Sequence, residues 1–568
     1  ALEATVPDQV AGVNSASYWL RAVKTNTSTK SCEAAFTSPH PVTFNYQCIN
    51  PSACSSGNLL SIGGSAIGTG GTSINLSFDA NGNASLGSFN FVDVGKIGIS
   101  ATATAGGATL SGTVKGTGGS GFVVRPYAFV LTDIRQTAAP NTANPGAADA
   151  SGGAFVRAGE NFSATVSAVN AACAANLSTY TRLIDIPSAC LTRNFGKEAP
   201  PESVMLSRAL ASGLVELTNN PALGNPAAFG SFNNGSASNT TLNWSEAGII
   251  TLTPSVGDGN YLGAGETVGI TSGKVGRFYP DHFAITASPP SAGCGTFTYF
   301  GQDGFTTPFT LTAQNTANVT TRNYTGSFAK LGLTTWSHFA FTTSSALPAG
   351  STLSGSATAP SGTWNQGVAT VSAKHQISRP SALAGETSVT LFARPTDSDG
   401  VTMINASAVQ TASTPLRYGR LWLGNAYGSE RNDLSLPYET QYWNGLAFIR
   451  NTLDGCTALS TANVGIGNYQ GSVNGSSLPT GSITMGAFSS GVGTVRLKAP
   501  NAAGSVDVVL RLDPALAMCP AWAPTYPAGT ARSATYLRGK WCGAAFDRDA
   551  VARATFGIHS SNTNRQIY

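Results

Sequence analysis

Turn chemistry recurs at short intervals through a chain with almost no helical periodicity, and this restricts the fold more than any other feature. Asn-Gly occurs at Asn81-Gly82, Asn234-Gly235, Asn444-Gly445 and Asn474-Gly475. Asp-Gly occurs at Asp258-Gly259, Asp303-Gly304, Asp399-Gly400 and Asp454-Gly455. Both dipeptides tolerate the positive φ of tight hairpin turns, and here they punctuate short runs of β-branched and aromatic residues. In Tyr442-Trp443-Asn444-Gly445-Leu446-Ala447-Phe448 the turn has apolar flanks, and Leu434, Leu436, Tyr438 and Tyr442 before it keep to one face of a period-2 pattern. The expectation is an all-β chain of tandem, immunoglobulin-like β-sandwich modules with little helix.

An internal repeat sets the module length. Residues 89–100 (FNFVDVGKIGIS) align with 242–253 (LNWSEAGIITLT) at an offset of 153, which Asn81-Gly82 and Asn234-Gly235 share. Downstream, Arg125-Pro126-Tyr127-Ala128-Phe129 matches Tyr279-Pro280-Asp281-His282-Phe283 at an offset of 154. Each unit reads as a hairpin, an aromatic strand, an acidic turn, an aliphatic strand and an exit strand carrying Pro-x-x-Phe. A proline there caps the strand ladder and stiffens the joint to the next module. The repeat places modules at 1–134 and 135–288, followed by β-modules at 289–415 and 416–568. A chain of 568 residues suits that number.

Composition excludes several classes. Charged residues are 11% of the chain, and 32 basic against 28 acidic residues leave a scattered +4. Nucleic-acid binding needs a basic stripe or patch and is not expected. With 41% hydrophobic residues the chain buries several cores and is not disordered. No apolar run reaches the roughly 18 residues of a membrane-spanning helix, and the alternation and aromatic girdles of an outer-membrane barrel are missing. Ala1-Leu2-Glu3-Ala4 lacks the regions of a signal peptide, so the chain reads as a mature or trimmed product.

Nine cysteines contain no Cys-x-x-Cys and no histidine at zinc-ligand spacing. Local pairing is expected for Cys173 with Cys190, for Cys519 with Cys542, and for Cys32 with Cys48 or Cys54. Disulfides place the chain in an oxidising compartment, and an odd count leaves at least one thiol over.

Chemistry-bearing constellations are few. His40, His282, His338, His375 and His559 lie far apart in the sequence. Asp397-Ser398-Asp399-Gly400 could offer oxygens to calcium through Asp397 and Asp399, although without a distal Glu a hairpin turn is the better reading. Asp547-Arg548-Asp549 more simply makes a surface ion pair than a carboxylate pair for glycoside hydrolysis. No catalytic residue and no cofactor is assigned. Aromatic residues concentrate near the end of the chain, where Trp422, Tyr427, Tyr442 and Trp443 could stack on sugar rings or anchor a partner. Trp443, beside the Asn-Gly turn, is the best candidate for exposure.

Residues 416–430 (LRYGRLWLGNAYGSE), the run to Tyr442-Trp443-Asn444-Gly445, and Asp454-Gly455-Cys456-Thr457 resemble the C-terminal region of the MshQ family of MSHA type IV pilus biogenesis proteins. Residues 275–283 (VGRFYPDHF), 294–302 (CGTFTYFGQ) and 552–557 (ARATFG) are similar to further signatures of that family. The resemblance is strongest from about residue 275 onward. It implies no catalytic residue, but it does imply that Cys294 and Cys456 belong together. It also implies a non-enzymatic extracellular protein of the bacterial surface, with an assembly or adhesion role. Its partners would be pilus subunits or other appendage proteins. The C-terminal aromatics point separately to surface glycans, as in a secreted carbohydrate-binding protein, and exposed sheet edges also allow self-association.

Overall fold

The computed structural model describes residues 1–57, 59–116, 119–343, 346–515, 522–539 and 546–557. Among them every helix is a short 3-10 turn and the remaining regular structure is strand. No helix among the described residues is long and apolar enough to cross a membrane. The chain forms two compact units. One comprises 1–282 with 313–329 and 365–367; the other comprises 283–312, 330–364 and 368–568.

In the first unit, the leading module pairs a large sheet with a small one made of Phe89–Phe91, Leu60–Ile62 and Ser65–Ile67. The long strand Gly95–Ala105 pairs with Pro39–Asn50 and Ala108–Gly116 at the heart of the large sheet. The second module is a sandwich. Ala128–Gln136, Asn161–Val169, Ser236–Trp244 and Leu223–Gly224 make one sheet, and Val204–Leu210, Gly248–Val256 and Val275–Phe278 the other. Residue 134 therefore lies inside a strand of this second module. The sheets close on Trp244, Phe162 and Phe278, whose rings meet at 5.3 and 5.6 Å in edge-on pairs that add specificity to area burial.

The second unit ends in a sandwich of the same kind. Gly419–Leu423, Leu434–Trp443, Phe448–Arg450, Val492–Leu497 and Ile483–Met485 form one sheet. Ala426–Gly428, Ala550–Phe556, Gly504–Leu510 and Val464–Gly471 form the other. The predicted alternation holds over 434–438, where Leu434, Leu436 and Tyr438 are buried and Ser435 and Pro437 exposed, and lapses toward Tyr442, which is half-buried beside a buried Gln441. Six of the eight predicted turn glycines have positive φ, among them Gly82 (79°), Gly235 (80°) and Gly445 (102°). Asp454-Gly455 differs. Asp454 is fully buried and accepts hydrogen bonds from Tyr299 Oη (2.8 Å) and Thr457 Oγ1 (2.7 Å), so it anchors a core rather than marking a hairpin tip.

Among the described residues three disulfides are present: Cys48–Cys54, Cys173–Cys190 and Cys294–Cys456. Cys173–Cys190 and the family-implied Cys294–Cys456 are as expected. The pairing of Cys32 with Cys48 or Cys54 is not formed, because those two bond to each other across a separation of 6 and leave Cys32 exposed and free. Cys519 and Cys542 lie outside the described residues. Alkylation of native protein, read by peptide mapping, is expected to label Cys32 directly and the six bonded cysteines only after reduction. Labelling of Cys48 or Cys54 without reduction would contradict this pairing.

Candidate functional site

The sequence repeat contains two buried acids. Asp93 and Glu246, 153 residues apart, each stand two residues before an aliphatic strand, Gly95–Ala105 and Gly248–Val256. Gly95 and Gly248 both have φ of +129°, and a Cβ on Gly95 would lie 2.6 Å from Asn50 O, so glycine is required at that strand entry.

Each acid is gripped by a distant asparagine. Asp93 Oδ1 accepts the N–H of Val94 (2.9 Å) and of Asn194 (3.0 Å), and Oδ2 accepts the Ser55 hydroxyl. Asn194 returns a bond from Nδ2 to Val94 O (3.2 Å). Glu246 Oε1 accepts the N–H of Ala247 (2.8 Å) and of Asn323 (3.0 Å). Its Oε2 accepts the N–H of Arg322 (2.8 Å) and Nδ2 of Asn219 (2.7 Å). Asn323 Nδ2 then donates to Ala247 O at 3.0 Å, as Asn194 does to Val94. Burial pushes both carboxyl pKa values up, and the donors offset part of that rise.

A third asparagine completes the series. Asn451 accepts from Arg417 Nη1 (2.5 Å) and donates to Tyr299 Oη (2.6 Å), while Arg417 Nε pairs with Glu386 at 2.6 Å. Here an arginine stands between acid and asparagine, and the acid is half exposed. The three asparagines are fully buried, and each follows an arginine: Arg193-Asn194, Arg322-Asn323, Arg450-Asn451. Their spacings, 129 and 128 residues, were the available signal, and motif reading by residue type passed over them. Such networks hold one segment on another in a single register, because any slip strands several buried donors. With both oxygens held by these donors, each acid is a structural clamp.

The aromatic candidates separate. Trp422 (40% exposed) and Tyr427 (63%) present their rings to solvent. Trp443, expected to be the most exposed, is half-buried and packs edge-on against Phe448 at 5.3 Å. The hairpin pairs Trp443 with Phe448 directly, so the solvent-facing side chain at the turn is Leu446 instead. Tyr442 is half-buried beneath the Arg417 guanidinium, 4.2 Å from its ring. Of the four, Trp422 lines a cleft.

The acidic candidates fold into turns and core pairs. Asp397 is buried and its Oδ1 accepts the N–H of Asp399 and of Val401, both at 2.9 Å, which closes the hairpin turn. Asp549 forms its ion pair with Arg538, Nε to Oδ1 at 3.0 Å and both buried, rather than a surface pair with Arg548. Burial raises the Asp549 pKa. Cys294, Asp454 and Cys456 have metal-ligating atoms close together, but the two sulfurs are bonded to each other.

The fold and its clamps define a tandem immunoglobulin-like protein. Sequence profiles of DUF6701, a family of unknown function, match in chain order: the first Ig-like domain over 1–113, the second domain over 125–243, the third over 246–416 and the fourth over 417–568. The chain belongs to the DUF6701 family. No curated protein matches it in sequence. Among solved structures it is similar to invasin, a bacterial integrin-binding protein, at 12% identity, covering 90% of this chain and 76% of that one, with a TM-score of 0.26. It is also similar to FdeC, an Escherichia coli adhesin, at 13% identity, covering 75% and 96%, with a TM-score of 0.28.

Proposed function

We propose that this protein is a non-enzymatic, exported component of the bacterial surface, serving assembly or adhesion in a type IV, MSHA-like pilus system. The observation that carries the exported part is the set of three disulfides among the described residues, one of them joining residues 162 apart. Such bonds belong to oxidising compartments and staple modules that work without chaperones. The buried clamps support the same reading, because a stalk must keep its modules in fixed register under load. The MshQ resemblance of residues 275–568 supports the pilus part.

Immunogold electron microscopy of intact cells, with antibody against residues 417–568, tests it. Gold along or at the ends of pili is the expected result. Gold spread over the cell body would overturn the pilus assignment, and absence from the surface would overturn the exported role.

A further inference from the structure

A cleft of about 540 Å³ opens in the second unit, bounded by Gly419–Leu423 and by residues 548–551. That volume is in the range of small-ligand sites, roughly 300–1,000 Å³. Arg379, Arg420 and Arg548 enter it, and Tyr418, Trp422 and Phe448 supply rings.

The arginines are held in place before any ligand arrives. Arg420 donates from Nε to Gln441 Oε1 (2.9 Å) and lies flat over Phe448 at 3.9 Å. Its terminal nitrogens meet no acceptor among the described residues. Of the acids nearby, Glu439 accepts from Gln441 Nε2 at 2.9 Å, and Asp549, which also lines the cleft, is paired with the buried Arg538 through Oδ1 while its buried Oδ2 has no hydrogen-bond partner. Burial and the neighbouring Arg548 charge both lower the Arg420 pKa. Deeper in, Arg379 is sandwiched by Tyr418 (4.6 Å) and Phe546 (3.9 Å), and its Nε is buried without a hydrogen-bond partner. Burial lowers its pKa to about 10. Like charges in a partly dry cleft repel each other, and an anion between them relieves both the repulsion and the lost solvation.

We propose that this cleft binds a carboxylated saccharide, its carboxylate on the free edge of Arg420 beside Arg548 and a sugar face against Trp422. A planar guanidinium matches a carboxylate in two parallel bonds. The indole, 40% exposed at the wall, offers the flat apolar surface that the C–H face of a pyranose needs. A bare anion would leave that surface unused, and a neutral sugar would leave the terminal nitrogens of Arg420 without an acceptor. This deepens the surface-protein reading and rests on it only for where the ligand is met. Binding is read on purified protein and location on cells, so either can fail alone.

The test is calorimetric titration of the whole chain with N-acetylneuraminic acid and with glucuronic acid, against glucose and inorganic phosphate. Saturable binding of at least one acidic sugar is expected, at least tenfold tighter than glucose or phosphate. Arg420→Gln is expected to weaken it at least tenfold, Arg420→Lys less, and Trp422→Ala severalfold, with unchanged thermal midpoints. Trp422→Ala, at an exposed site, keeps the test decisive if the Arg420 variants fold poorly. No saturable acidic-sugar binding, or binding unchanged by either kind of variant, would overturn the proposal. Phosphate binding as tight as the sugars would overturn its saccharide part.

Discussion

Glu246→Gln is expected to destabilise the first unit by about 3 kcal/mol, whereas Asp93→Asn at the repeat-equivalent position costs about 1 kcal/mol or less. The contrast comes from what each oxygen accepts. Both oxygens of Glu246 face N–H groups: Ala247 and Asn323 on Oε1, Arg322 and the Asn219 amide on Oε2. None of these can turn round to accept. Whichever way a glutamine amide is placed, its NH2 meets two donors and leaves them buried and unpaired. At Asp93 one oxygen faces two N–H groups, but the other faces only the Ser55 hydroxyl, which can rotate and accept from an asparagine NH2. Neutralising either acid also removes the burial penalty that raises its pKa, which offsets part of the loss at 246 and most of it at 93. Denaturant unfolding, followed through the fluorescence of buried Trp244, measures both. Equal losses for the two variants would sink the clamp account.

The same pair shows how far the sequence could be read. The repeat, its period and the all-β character were legible, because turn dipeptides and alternating apolar residues are local signals. The acids at 93 and 246 were visible as part of that repeat but read as turn residues, since acid-x-Gly resembles an exposed loop. What buries Asp93 is Asn194, 101 positions away, and no local pattern reports that. Trp443 misled for a related reason. Asn444-Gly445 correctly predicts the hairpin, but the pairing then sets Trp443 opposite Phe448, and the ring turns to its partner. Trp422 was legible as an aromatic candidate, but its cleft was not, since Arg379 and Arg548 reach it from segments far apart in sequence. Cys32 was misassigned because a shorter loop, 48 to 54, was available to its presumed partners.

Removing the Cys294–Cys456 bond by Cys294→Ala with Cys456→Ala is expected to have the largest effect of any disulfide change. The bond spans 162 residues, and the loop-closure entropy it withdraws from the unfolded chain is worth about 5 kcal/mol. Cys48–Cys54 spans only 6 and is worth about 2 kcal/mol on the same scale. The folded ends have other reasons to stay together. Tyr299 Oη donates to Asp454 Oδ2 at 2.8 Å and accepts from Asn451, so residues flanking both cysteines already meet in a buried hydrogen-bonded hub. Burial and the Asp454 charge hold the Tyr299 hydroxyl well above its usual pKa, so it stays a donor at any working pH. The double variant therefore should fold to the same structure with a lower unfolding midpoint for the second unit and an unchanged one for the first. Calorimetry that resolves the two transitions checks this. A drop no larger than that of Cys48→Ala with Cys54→Ala would mean that the hub already constrains the unfolded ensemble. A drop in the first unit's transition would mean that the bond acts through something other than the loop it closes.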